Sequence, residues 1–394
     1  MAVNKAAVER EEYPRRLARV RELMAEDGFE VLVVTDNDDF FHRPAGNTRY
    51  LSNFSLGTRA HVAIVVPIEA EPTLIVPPGP LDCLPRWAEA KSWIGQVRST
   101  PVPGWPPREN LVKDVADAIE ADGFAASRIG LCGELPEQEE LYRRFPKARI
   151  ERAVRIDARG ASRDIIERAR AVKSPWEMAC LAEAQRYCDA GIQAFIATAL
   201  PGVRHDRAIA EAEYQAKRLG AEATEVIMSA GNRPWVWWPH RGDFAFREGD
   251  LVAVEFNART QGYVAQIARS WVIGKPTPSQ SHILEATREA ERRMIDSIAV
   301  GITGGDIAEI GLQVVRQAGL APYGRYGHGM GLCMSESFDI TPGDDGQVQN
   351  DYCIEVHAGV VNPDTMESAL IGDQLILREG KVQYLSPGRL PVSL

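Results

Sequence analysis

A chain of 394 residues, 45% hydrophobic and 25% charged, is long enough to bury a large core and is expected to divide into two domains. Its formal net charge of −10 argues against the clustered Lys and Arg that nucleic acid or an anionic membrane surface requires. No run of about 18 apolar residues occurs, so the expectation is a cytoplasmic protein with neither a signal peptide nor a membrane span.

In chain order, Val8 to Gly28 reads as an amphipathic helix with Leu17, Val20, Leu23 and Met24 on one stripe and Gly28 as its stop. The apolar runs VLVVTD, VAIVVPI, PTLIVPP, WIGQVRS and RIGLCGE read as strands, with a helix from Asn110 to Asp122 between the last two. Alternating strands and helices predict a small α/β domain over residues 1–158. A second domain, 159–394, opens after an Arg- and Asp-rich segment. There Ser174, Pro175 and Glu177 spell an N-cap, a first-turn proline and a capping box. Helices follow at His205–Leu219, Gln280–Ser297 and Asp306–Ala318, and strands continue to the C-terminus. The six cysteines, Cys83, Cys132, Cys180, Cys188, Cys333 and Cys353, have no C-x-x-C spacing and are expected to be free thiols.

Chemistry concentrates between Trp235 and Arg269. After His240 comes a Gly-Asp turn, a strand LVAVEF and a second strand opening at Gly262 and Tyr263. Alternate residues of paired strands share a face, so Glu255 and Gln266 are presented to one pocket. This hairpin resembles the central one of the creatinase and prolidase family, as does the segment RAVKSPWEMACLAEA. The resemblance implies an α+β architecture: a small N-terminal α/β domain followed by a pita-bread domain of curved antiparallel sheet.

The peptidases of that family hold a pair of metal ions with Asp, Asp, His, Glu and Glu. The resemblance sets Glu255 and Gln266 at the first two positions, His328 of the G-H-G-x-G turn at the third, Glu355 at the fourth and Gly372, before Asp373, at the fifth. Bridging carboxylates offset the repulsion between two ions, and here one is missing and another is neutral. The expectation is therefore a metal-free, cofactor-free, creatinase-like hydrolase and homodimer that cleaves a C–N bond of a small, cationic or amidine-like metabolite. A lyase, an Xaa-Pro metallopeptidase and a non-catalytic peptide-binding module are the alternatives.

The resemblance places His240 as the proton-transfer residue, suited to work near neutral pH, with Glu255, His328 and Glu355 as its catalytic partners. The family's second histidine is replaced by Ser335, and Asp339 falls near the position of a carboxylate-binding arginine. Arg59 lies near where a neighbouring subunit supplies another. Glu255, Glu336, Glu355, Asp339 and Asp373 would crowd one another, which calls for a cation between them. Trp235, Trp237 and Trp238 either face that cation or fill a core or dimer interface.

Overall fold

In the computed structural model the protein is described at residues 5–36, 46–54, 62–78, 83–100, 111–156, 162–231 and 244–386. Two compact units divide it, one drawn from Met1–Ile156 and Gly160–Arg170, the other from Asp157–Arg159 and Ala171–Leu394. No described helix is long and apolar enough to cross a membrane. No disulfide joins any of the six cysteines.

Unit one runs α1 (Lys5–Asp27), β1 (Val31–Val34), α2 (Gly46–Ser52), β2 (Ala63–Pro67), β3 (Thr73–Ile75), α3 (Cys83–Lys91), β4 (Gln96–Arg98), α4 (Leu111–Ala121), β5 (Arg128–Cys132), α5 (Glu139–Arg144) and β6 (Arg149–Arg152). Its mixed sheet has the order β4-β3-β2-β1-β5-β6, with β1 antiparallel to β2 and parallel to β5. The apolar runs of β1, β2, β3 and β5 are continuous because these strands are covered on both faces. Val31, Val33, Val65 and Ile129 pack with Val115 and Ile119 of α4, while Leu17, Val20, Leu23 and Met24 of α1 are buried as their spacing predicts. The short helices α2, α3 and α5 and the strand β6 were not expected. They span too few residues to show a helical stripe.

After a two-stranded ladder of β7 (Val154–Ile156) and β8 (Ser162–Asp164) and the helix α6 (Ile165–Ala171), unit two begins with α7 (Pro175–Thr198), α8 (His205–Leu219), β9 (Ala223–Ala230), β10 (Leu251–Thr260) and β11 (Tyr263–Val272). It continues with α9 (Pro278–Ser297), α10 (Gly304–Gln317), β12 (Ala321–Pro322), β13 (Gly327–Gly329), β14 (Glu336–Asp339), β15 (Cys353–Val361), β16 (Ser368–Arg378) and β17 (Lys381–Tyr384). The expected capping box is formed: Ser174 Oγ accepts from Glu177 N at 3.1 Å, and Glu177 Oε2 accepts from Ser174 N at 2.8 Å. β10 and β11 join through Gln261 and Gly262, both at positive φ, as a two-residue turn that matches the twist of the strands requires.

The sheet order is β14-β13-β15-β16-β11-β10-β9. Val252, Val254, Phe256, Ala265 and Ile267 pack under α7 and α8, while Ile354, Val356, Ala358 and Val360 pack under α9 and α10. The period of two in a strand then sends the intervening residues of β10, β11 and β15 to the other face of the sheet.

Candidate active site

That other face is polar. Register places Asn257 opposite Gln266 and Glu255 opposite Ala268 across β10 and β11; Ala268 faces Gly372 on β16, and Gly372 faces His357 on β15. Glu355 lies opposite His328, and His328 opposite Asp339. Ala268 and Gly372 have almost no side chain, and on the same face of the sheet stand Glu255, Asn257, Gln266, Glu355 and His357. Glu355 fills the space over Gly372: a Cβ added there would lie 2.5 Å from Glu355 Oε1 and 2.7 Å from His357 Cβ.

These side chains are buried and short of donors. Asn257 Nδ2 donates to Glu255 Oε1 at 3.0 Å. Among the described residues Glu355 Oε1 and Oε2, Gln266 Oε1 and Asn257 Oδ1 are buried without any hydrogen-bond partner. Burial pushes the Glu255 carboxyl up to about 7, against the Asn257 bond and the Arg325 charge. Burial, then the charges of Asp373 and Glu255, holds Glu355 well above the usual carboxylate range. The two imidazoles have ring centroids 5.5 Å apart. Burial holds His328 well below its ordinary value, with Arg325 and His357 adding to the effect, and takes His357 down to about 3, with Arg325 adding. Both are neutral at pH 7.

The expected crowding of five carboxylates is not what the structure shows. Glu336 pairs with Lys173 Nζ at 2.7 Å, both side chains almost fully buried, and also accepts from Leu332 N. Asp339 accepts from Arg325 Nη1 at 2.8 Å, and the same nitrogen reaches Ser335 Oγ at 2.8 Å. Asp373 accepts from Arg269 Nη2 at 2.7 Å. It is the register partner of Val356, so strand alternation turns it to the helix-packed face, from where its charge still acts on Glu355. Glu255 and Glu355 alone in this set have no ion pair.

His240, Trp235, Trp237, Trp238 and Arg59 lie outside the described residues. Residues missed from the sequence are Asn257, His357, Lys173 and Arg325. The first two carried a signal, since each stands two positions along a strand from a chosen residue and so shares its face. The two cations reach the site from Lys173, just before α7, and from Arg325, just before β13, and only the fold brings them there.

Comparison with known proteins agrees with this geometry. The model of metallopeptidase family M24 matches residues 179–379, and that of the creatinase/prolidase N-terminal domain matches residues 16–172. An Xaa-Pro dipeptidase of Pyrococcus horikoshii is 28% identical over 243 residues, 60% of this chain and, at 66%, just under two thirds of the relative's own length. An Xaa-Pro dipeptidase of Lactobacillus delbrueckii is 24% identical over 288 residues, 70% of this chain and 74% of that one. The crystal structure of the prolidase from Pyrococcus horikoshii superposes with a TM-score of 0.78 at 22% identity, covering 96% of this chain and 99% of that one, which establishes the α+β, pita-bread fold.

The expectation of a metal-independent, creatinase-like enzyme acting on a non-peptide C–N bond is corrected by these matches. The family is one of metallopeptidases, and the relatives this chain resembles are dipeptidases. The residues present do not fit the pair of ions such enzymes use. Gln266 is neutral, Gly372 has no donor atom, and the Glu355 carboxylate occupies the space a side chain at 372 would need. Among the described residues no three His, Cys, Asp or Glu side chains are grouped to hold a metal ion. With both halves of the chain matched and the fold shared end to end, the protein belongs to metallopeptidase family M24, with a creatinase/prolidase N-terminal domain ahead of its M24 domain.

Proposed function

We propose that this protein hydrolyses the peptide bond of small peptides, with Xaa-Pro dipeptides as its substrate class. The observation that supports this reading best is its similarity to Xaa-Pro dipeptidases at up to 28% identity. The charges of the site agree with it. A dipeptide is a zwitterion, and the polar face offers two carboxyl groups, Glu255 and Glu355. Near enough for its charge to act on Glu255 is the guanidinium of Arg325, held by Ser335 and Asp339 through one nitrogen. A fork of this kind suits a carboxylate.

Hydrolysis adds water to the amide carbonyl carbon and returns a proton to the departing nitrogen as the C–N bond breaks. Neutral imidazoles can donate a hydrogen bond to the carbonyl oxygen through one nitrogen and accept through the other. His328 and His357 are in that state, and His240, placed by the family resemblance, is the candidate for moving the proton. A homodimer forms part of the same reading.

The test is release of free proline from Ala-Pro and Leu-Pro by the purified protein supplied with divalent ions, compared with Ala-Ala, Leu-Ala and the amidated dipeptides. Expected is turnover of the Xaa-Pro dipeptides with a clear preference over the proline-free pair. Absence of proline release from every Xaa-Pro dipeptide would refute the reading.

A further inference from the structure

We propose that Lys173 and Glu336 are positioning residues: together they fix the turn of residues 330–335, and through Ser335 at its end the Arg325 guanidinium, in the place where that cation receives a substrate carboxylate. This assignment rests on the peptide-bond reading.

The turn joins β13, which carries His328, to β14, which starts at Glu336. Backbone bonds tie its first part to the sheet, Met330 N donating to Cys353 O at 3.0 Å and Val264 N to Gly331 O at 2.8 Å. The rest wraps around the Glu336 carboxyl group. Leu332 N donates to Glu336 Oε1 at 3.0 Å, and a Cβ added at Gly331 would lie 2.3 Å from that same oxygen, so the backbone passes closer to the carboxylate than a side chain at 331 allows. At the far end Ser335 Oγ accepts from Arg325 Nη1 at 2.8 Å. The charge of Arg325 in turn reaches Glu255, His328 and His357.

A buried carboxylate can hold such a turn only if its own charge is met. Lys173 meets it, with Nζ donating to Glu336 Oε2 at 2.7 Å and to Ala171 O at 3.1 Å. The lysine is anchored by its own backbone: Lys173 N donates to Asp351 O at 2.8 Å, and the next residue is Ser174, the N-cap of α7. One oxygen of Glu336 is thus bound to the entry of a long helix and the other to the turn. The two roles of Glu336, filling space and folding the turn, can be separated by substitution. Gln at 336 keeps an acceptor for Leu332 N without the charge, whereas Leu of similar size keeps none.

The experiment compares Lys173→Met/Glu336→Gln with Lys173→Met/Glu336→Leu. Neither double variant strands a buried charge, and only the first retains the acceptor. Hydrogen exchange read by mass spectrometry is expected to be faster across residues 330–335 in the Leu double than in the Gln double, with the rest of the chain alike in both. KM for Leu-Pro is expected to be about tenfold higher in the Leu double, the scale of one lost hydrogen bond to a charged group, with kcat changed far less. Gly331→Ala keeps both charges and drives a methyl group against Glu336 Oε1, and it is expected to raise exchange and KM in the same way, so the test does not depend on either double variant folding. Equal exchange over 330–335 or equal KM in the two doubles, or parent-like exchange in Gly331→Ala, would overturn the proposal. Exchange requires no turnover. A parent protein that releases no proline defeats the peptide-bond reading while exchange still decides what holds the turn; a parent that releases proline, with the two doubles alike, keeps that reading and defeats this inference.

Discussion

At the scale of single residues, the site is defined by which acids have cations and which do not. Glu336, Asp339 and Asp373 are neutralised by Lys173, Arg325 and Arg269, leaving Glu255 and Glu355 as the acids of this set without a cation. The Lys173 and Glu336 pair is the most deeply buried of the three, with side chains 2% and 4% exposed. A buried pair adds little over an apolar replacement, but removal of one member strands the other charge. Lys173→Met is therefore expected to destabilise the protein by about 3–5 kcal/mol, and the double variant Lys173→Met with Glu336→Gln is expected to regain at least half of the loss. Urea unfolding of the three proteins checks it. A single variant as stable as the parent would show that Glu336 finds another partner.

At the scale of elements, legibility followed the range of the interactions. The capping box at Ser174 and the Gly-Tyr hairpin turn depend on neighbours in sequence, and both are readable from the order of residues alone. The faces of β10, β11 and β15 were half readable: alternation groups Glu255 with Asn257 and Glu355 with His357, but only register shows that Ala268 and Gly372 line up between them. The same rule, applied to Asp373, would have turned it to the helix-packed face. Lys173 and Arg325 were not readable, because an ion pair across 163 or 14 residues leaves no periodic trace. The cap also does more than begin a helix. Glu177 Oε1 accepts from the Tyr263 hydroxyl at 2.7 Å, which ties the first turn of α7 to the start of β11. Ser174→Ala should cost about 1 kcal/mol, the usual scale of a lost N-cap, while Glu177→Ala should cost more because it also removes the bond from the Tyr263 hydroxyl. Denaturant midpoints for the two variants measure the order; equal losses would mean that the bond to Tyr263 contributes nothing.

At the scale of the whole molecule, the ends of unit one are brought together by charge. Asp27, the last residue of α1, accepts from Arg155 Nε at 3.2 Å and also pairs with Arg168 of α6, so its first helix is pinned to a helix some 140 residues later. Partial burial works to raise the Asp27 carboxyl, but the hydrogen bonds and charges of Arg155 and Arg168 outweigh it and hold the group below its ordinary 3.8. A carboxylate depressed on folding stabilises the folded state above its unfolded pKa, and that contribution is lost as pH falls through the folded value. The effect runs toward acid and leaves neutral pH untouched. Asp27→Asn removes the charge at every pH, so at pH 7 it should lower stability by roughly 1 kcal/mol, the upper range for a pair partly open to solvent and screened by salt. The gap between variant and parent should then narrow as pH drops below about 4, where the parent's own carboxyl begins to protonate. Urea unfolding at pH 7, 5, 4 and 3 follows the difference. A gap that stays constant across this range would show that Asp27 acts through packing of α1 and not through its charge.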